Sequence, residues 1–173
     1  MRRRNYFTPK GKYYSKDQAR AAIMRFCAYQ ERCHQEVRGK LRDLGIYGDT
    51  VDEIILELME ENFLNEERFA CTFARGKFRI KQYGRRRIDR ELRQRDISDY
   101  CRKKALAELD EYDYYGTLLQ LAERKNQYLQ EPNPWNRRRK LTDMLLRRGF
   151  ESDLVKEAVK EVCGEITSSG RLR

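Results

Sequence analysis

Leu41-Arg-Asp-Leu-Gly45-Ile46 is one of three copies of a single pattern, the others being Leu92-Arg-Gln-Arg-Asp96-Ile97 and Leu145-Leu-Arg-Arg-Gly149-Phe150. Each copy places fifth a residue able to end a helix, and sixth an apolar residue. A new apolar periodicity then closes seventeen residues after the first leucine, at Leu58, Leu109 and Val162. An internal period of roughly fifty residues, built on one supersecondary unit, predicts a tandem helical array rather than a single closed catalytic domain.

Helical segments fill in on either side of these copies. Ser15-Lys-Asp-Gln18 has the form of a capping box and opens a first helix; a second runs from about Gln35 to Leu44 and stops at Gly45. Thr50-Val-Asp-Glu53 reads as another capping box, followed by the stripe Val51, Ile54, Ile55, Leu58 and Met59. After Asn62-Phe-Leu-Asn65 a long helix carries Phe69, Phe73 and Ile80 on one side and breaks at Tyr83-Gly84. Arg85 to Arg95 forms a helix with Ile88 and Leu92 inward, and Ser98 opens the next, with Ala105, Leu106 and Leu109 inward. The third round uses Tyr114 to Leu129, a connection at Glu131-Pro-Asn-Pro134, a helix from about Trp135 to Arg148, and a last one from Ser152 with the stripe Val155, Ala158, Val159, Val162 and Cys163.

No segment alternates apolar and polar residues for long, so strands are not expected. The expected fold is all-α: three tandem three-helix repeats forming an elongated, curved array. Repeat 1 spans residues 17–64, repeat 2 spans 65–112 and repeat 3 spans 113–164. A flexible basic arm at 1–16 precedes them and a frayed basic tail at 165–173 follows. Each unit is too small to be stable alone, and stacking buries the leftover apolar faces.

Composition narrows the function. Of the 173 residues 38% are charged, the formal net charge is +10, and 39% are hydrophobic, enough for a folded core. Such an excess of Lys and Arg favours polyanion partners, nucleic acid first. No stretch approaches the ~20 apolar residues that span a bilayer, so no membrane partner is expected. The five cysteines are odd in number, scattered and without a C-x-x-C pair, which points to a reducing cytoplasm and to buried thiols.

The residues for familiar catalysis are sparse. His34 is the one histidine, set among polar residues near a helix start, where a solvated or capping role is expected. Gly76-Lys77 lacks the remainder of a phosphate loop, and the acid pairs Asp52-Glu53 and Glu60-Glu61 fall on polar helix faces. No catalytic residue, cofactor or metal site is therefore expected, and the chain is read as a non-enzyme.

The positive signal is basic. Between residues 75 and 95 stand Arg75, Lys77, Arg79, Lys81, Arg85, Arg86, Arg87, Arg90, Arg93 and Arg95, against two acids. Arg86, Arg90 and Arg93 fall at i, i+4 and i+7, opposite Ile88 and Leu92, as a guanidinium row suited to phosphates. A second run, Arg137, Arg138, Arg139 and Lys140, continues to Arg147-Arg148. The candidate nucleic-acid contacts are these two runs, apart from Arg95 and the Arg147-Arg148 pair. Tyr83, beside the first run, is the candidate base-stacking aromatic.

Four segments together resemble the RecX family of recombinase regulators: Glu36-Val-Arg-Gly-Lys-Leu41-Arg-Asp-Leu-Gly45, Phe63-Leu-Asn-Glu-Glu-Arg-Phe69-Ala70, Gly84-Arg-Arg-Arg-Ile88-Asp-Arg-Glu-Leu92 and Leu145-Leu-Arg-Arg-Gly-Phe150. They occur in the family's order across roughly residues 17 to 163. Asp96 stands where the family's middle copy has Gly, and the arm at 2–12 lies outside the family core. The resemblance implies three tandem three-helix repeats without enzymatic activity. It implies binding to the RecA filament on single-stranded DNA, in the filament groove, with inhibition of RecA's ATPase, strand-exchange and co-protease activities. Duplex DNA is a further candidate ligand, and the chain is expected to act as a monomer. The alternative reading is a stand-alone helical DNA- or RNA-binding protein of transcriptional type, with a helix in the major groove.

Overall fold

The computed structural model describes residues 14–111 and 114–164. Its helices are α1 (Lys16–Tyr29), α2 (His34–Asp43), α3 (Asp49–Glu60), α4 (Glu66–Lys81), α5 (Arg85–Arg93), α6 (Asp99–Ala107), α7 (Tyr114–Tyr128), α8 (Pro134–Arg147) and α9 (Ser152–Cys163). A short 3-10 turn, Glu108–Glu111, follows α6, and no strand occurs among the described residues. The fold is all-α, three helices to a repeat. The expected arm and tail lie outside the described residues, except for residues 14–16, where Ser15 and Gln18 make the expected capping box on α1.

All three copies of the repeated pattern form the same turn. The fifth residue is left-handed in each, with φ of +80° at Gly45, +57° at Asp96 and +90° at Gly149. The amide of the sixth donates to the carbonyl of the first, Ile46 to Leu41 at 3.0 Å, Ile97 to Leu92 at 3.3 Å and Phe150 to Leu145 at 3.4 Å. The fifth donates to the second, Gly45 to Arg42, Asp96 to Arg93 and Gly149 to Leu146. This paired bonding satisfies the last carbonyls of a helix and folds the sixth, apolar residue back onto the first. Both are buried in every copy. Asp96 therefore keeps the turn in the middle copy, since a short polar side chain tolerates the left-handed region.

The chain divides into two compact units at Glu66 and Glu67. In the first, α1, α2 and α3 enclose Ala19, Ile23, Cys27, Val37, Leu41, Ile46, Val51, Ile54, Ile55, Leu58 and Leu64. Cations of α1 lie along acids of α3: Lys16 reaches Glu53 at 2.8 Å and Glu57 at 3.0 Å, while Arg20 reaches Glu57 at 2.8 Å and also Glu61. Arg38 holds Asp52. Three of the four residues in the acid pairs thus serve ion pairing within the fold, as solvated helix faces do.

Three expectations need correction. The start of α3 is Asp49, capped by Gly48 at φ +66°, so Thr50 lies inside the helix and makes no capping box. Ile80 is 77% exposed, because Phe69, Ala70, Ala74 and Phe78 already form the inner face of α4. Met59 is exposed at the edge of its stripe. In addition α8 starts at Pro134, one residue early, with Asn133 Oδ1 accepting from the amides of Trp135 and Asn136.

The second unit is organised by a close backbone approach. The start of α5 abuts the turn between α8 and α9, where Gly84 N donates to Arg148 O at 2.9 Å and Arg86 N to Gly149 O at 3.0 Å. A Cβ on Gly84 would stand 2.3 Å from Gly149 O, and one on Gly149 would stand 2.3 Å from Arg87 Cβ. Beneath the contact Phe78 stacks on Tyr114 at 5.3 Å between centroids, and Tyr114 tilts against Phe150 at 5.4 Å. Gly84→Ala and Gly149→Ala should each cost about 3 kcal/mol in urea unfolding, since backbone rather than side chain must move. Gly76→Ala, where a Cβ meets nothing within 4 Å, should stabilise by about 0.5–1 kcal/mol.

Candidate nucleic-acid interface

Capping fixes the start of α5. The free amides of a helix's first turn require acceptors, and Gly84 supplies no side chain. The carbonyls of Arg148 and Gly149 take two of them, and Tyr114 Oη accepts from Arg85 N at 2.9 Å. Tyr114 then donates to Glu151 at 2.8 Å. Burial pushes the Tyr114 phenol up, with Glu151 adding to the rise, so it stays a donor. The Arg85 guanidinium lies 3.7 Å over the Tyr114 ring and 3.3 Å from Glu151. Arg85 is thereby part of the repeat junction.

The remaining expected contacts divide by what they touch. Lys77 reaches Glu91 at 2.8 Å, and Arg87 approaches the same carboxylate at 3.4 Å while covering the Tyr83 ring at 3.7 Å. Arg95, also held to this cluster, lies over Phe73 and donates to the carbonyl of Glu91. Burial opposes ionisation of Glu91, but Lys77 and Arg87 outweigh it and hold the carboxyl below the usual range. Arg75 bonds Glu108 and Thr72. Arg93 pairs with Asp89 at 3.2 Å yet stays 68% exposed. Arg79 and Lys81 are exposed at the end of α4, where the Lys81 carbonyl accepts from Arg148. Arg86 and Arg90 are exposed and make no ion pair among the described residues.

The second run is divided in the same way. Arg137 turns back to the end of α7, donating to the carbonyls of Asn126, Leu129 and Glu131 at 3.3, 2.9 and 3.0 Å. It closes a helix terminus, which a cation suits on electrostatic grounds too. Arg138 donates to the carbonyl of Gly164, and Lys140 pairs with Glu131. Arg139 alone of the four is exposed without a partner among the described residues.

Packing of α5 against the α8 turn brings the two runs together. Arg90 shares an open hollow of ≈ 490 Å³ with Asp143, Leu146 and Arg147. Beside it a second hollow of ≈ 330 Å³ is lined by Arg87, Lys140, Asp143, Met144, Arg147 and Arg148. Five cations thus face one carboxylate, Asp143. Arg147 and Arg148 were outside the expected site, because the sequence did not reveal that their turn is the one α5 docks upon. Tyr83, the expected stacking aromatic, has its ring covered by Arg87.

Other chemistry has little support. His34 opens α2, half-buried, with Nε2 3.4 Å from Met59 Sδ, and burial lowers its pKa. Four cysteines are buried; the thiol of Cys71 is pushed up to about 12 by burial and by the neighbouring Glu108. No cluster of metal-ligating side chains occurs among the described residues. No helix among them is long and apolar enough to cross a membrane.

Comparison with known proteins gives a consistent picture. Family models described as the first, second and third three-helix domains of RecX match residues 19–58, 65–106 and 111–159. The Regulatory protein RecX of Prosthecochloris aestuarii is 32% identical over 151 residues, covering 86% of this chain and 97% of the relative. The Regulatory protein RecX of Bacillus cytotoxicus is 26% identical over 137 residues, and the match spans about half that relative's length, 51%. The crystal structure of RecX from Lactobacillus salivarius superimposes with a TM-score of 0.74 at 26% identity, covering 85% of this chain and 96% of that one.

The Glu91 cluster gives a pH test. A carboxyl whose folded pKa is depressed adds stability that is complete above its unfolded value, about 4.5, and is lost as pH falls through the lower folded value. Glu91→Gln should therefore lower stability at pH 7 and flatten the acid limb of stability against pH, as read by urea unfolding from pH 7 to 3. An acid limb as steep as that of the unaltered chain would mean that Lys77 and Arg87 do not hold this carboxylate.

Proposed function

Since the chain belongs to the RecX family, we propose that it is a non-enzymatic regulator of the RecA recombinase. In this reading it binds the RecA filament on single-stranded DNA, within the filament groove, in the cytoplasm. It inhibits the filament's ATPase, strand-exchange and co-protease activities. The observation that carries the reading is the cationic hollow between α5 and α8, with Arg90 and Arg147 facing one carboxylate. Arg86 and Arg139 add two exposed guanidiniums, unpaired among the described residues, on the same pair of helices.

Electrostatics explains why these cations matter more than the neighbours already paired. An Arg held by Glu, or by helix carbonyls, must give up that partner before it can bind phosphate, whereas an unpaired one releases only water and counterions. Each phosphate neutralised on a single strand contributes a slope of about −0.7 to log K against log salt. The effective contacts therefore reduce to Arg86, Arg90, Arg139 and Arg147, with Arg93 exposed but shared with Asp89. Arg85 and Arg137, inside the junction and the α7 terminus, keep those helices in place.

The test is RecA ATP hydrolysis on single-stranded DNA titrated with the chain. Inhibition is expected. The triple variant Arg86→Ala, Arg90→Ala and Arg147→Ala should inhibit more weakly and reduce the salt slope by about 2, with helix content unchanged. No effect of the unaltered chain on RecA would remove the proposal, and so would sequence-selective duplex binding that needs no RecA.

A further inference from the structure

The exposed face of α8 has a feature that the phosphate-binding hollow does not use. Trp135, the one tryptophan of the chain, is 64% exposed. Its backbone is fixed by the Asn133 cap and by Pro134 before it, so the indole stands at a defined corner of the helix. An aromatic of this size left in water forgoes a large apolar contribution.

Isolated exposed aromatics are ordinary, and Tyr29, Tyr47, Tyr100 and Tyr128 are exposed here too. The surroundings of Trp135 set it apart. Arg139 lies one turn along at i+4, exposed and without a partner among the described residues. Leu146, at i+11, falls within about 40° of both on the helical wheel, roughly 16 Å from Trp135 along the axis. Leu146 itself lines the hollow that holds Arg90 and Arg147. One face of α8 therefore runs from an open indole, past an exposed guanidinium, to a cationic hollow.

We infer that Trp135 is a stacking platform for an unpaired nucleobase of a single strand whose phosphates follow Arg139 toward Arg90 and Arg147. The inference rests on the nucleic-acid reading of that hollow. A single strand supplies both things this face lacks, a π-surface for the indole and anions at intervals for the guanidiniums. An acidic protein segment answers the charges with carboxylates that carry no ring, whereas every nucleotide of a single strand brings a π-face together with its phosphate. Duplex DNA would answer the charges while keeping its base faces inside the stack.

Because the chain has one tryptophan, its selectively excited emission reports on this position alone. The full chain is titrated with oligo(dT) and with a duplex of equal length, following indole emission and the anisotropy of the labelled nucleic acid together. Oligo(dT) should quench the emission, less so as salt rises, and the duplex should leave it unchanged. Trp135→Ala should weaken oligo(dT) binding about 5- to 150-fold, and Trp135→Phe should retain part of the lost affinity. Both variants should keep the helical circular dichroism of the parent.

Oligo(dT) binding with unchanged emission would overturn the inference, as would no oligo(dT) binding at low salt or equal affinity in Trp135→Ala. Normal oligo(dT) binding by Trp135→Ala with lost RecA inhibition would make Trp135 a protein anchor and also overturn it. Failure of the unaltered chain to inhibit RecA counts instead against the proposed function, because the stacking assay is run without RecA.

Discussion

The second unit depends on the closeness of two glycines. Gly84 and Gly149 let the start of α5 lie on the α8–α9 turn at backbone distance, and the carbonyls of Arg148 and Gly149 become the cap that α5 lacks in its own sequence. Any side chain at Gly84 would separate the two strands of backbone and leave buried amides without acceptors, a cost larger than that of lost packing alone. The same contact determines where charge goes. It sets the cations of α5 beside those of α8, so the hollow lined by Arg90 and Arg147 follows from the repeat junction.

The sequence made the repeats legible because each depends on local chemistry. A left-handed residue and an apolar one after it suffice to turn the chain, and the three turns share their bonding even where Gly gives way to Asp96. Boundaries were less legible where two signals competed. Thr50 and Glu53 have the letters of a capping box, but Gly48 takes a positive φ and begins α3 before Thr50 can cap it. Ile80 satisfied a helical period, yet the inner face of α4 was already filled by Phe69, Ala74 and Phe78. Periodicity identifies an apolar face; it does not say how far along the helix a neighbour covers it.

The candidate site was legible as a composition and not as a geometry. A run such as Arg137-Arg-Arg-Lys140 looks uniform on paper, but a helix sends successive side chains about 100° apart. One residue of the four closes α7, one bonds Gly164, one pairs with Glu131, and Arg139 alone is left to the solvent. The same division separates Arg85 and Arg87, bound to aromatic rings, from Arg86 and Arg90. Some of these partners, such as Tyr114 of α7 for Arg85 and the α7 terminus for Arg137, come from another helix, beyond the reach of any local pattern. Tyr83 was visible in the sequence because of the basic run beside it, and that same run supplies the guanidinium, Arg87, that lies over its ring.

Division of labour among the arginines bears on how such a surface can evolve. Guanidiniums that satisfy carbonyls or stack on rings are tied to the fold, so changing them alters stability and binding together. Those on the outer faces of α5 and α8 carry no such duty, and like charges at i and i+4 repel by a few tenths of a kcal/mol in the free protein. A polyanion lying across Arg86 and Arg90 would relieve that repulsion, so the row is weakly unfavourable alone. The outer surface can therefore change at little cost to the core, whereas the junction beneath it, with two glycines and Tyr114 closely packed, has almost no freedom to vary.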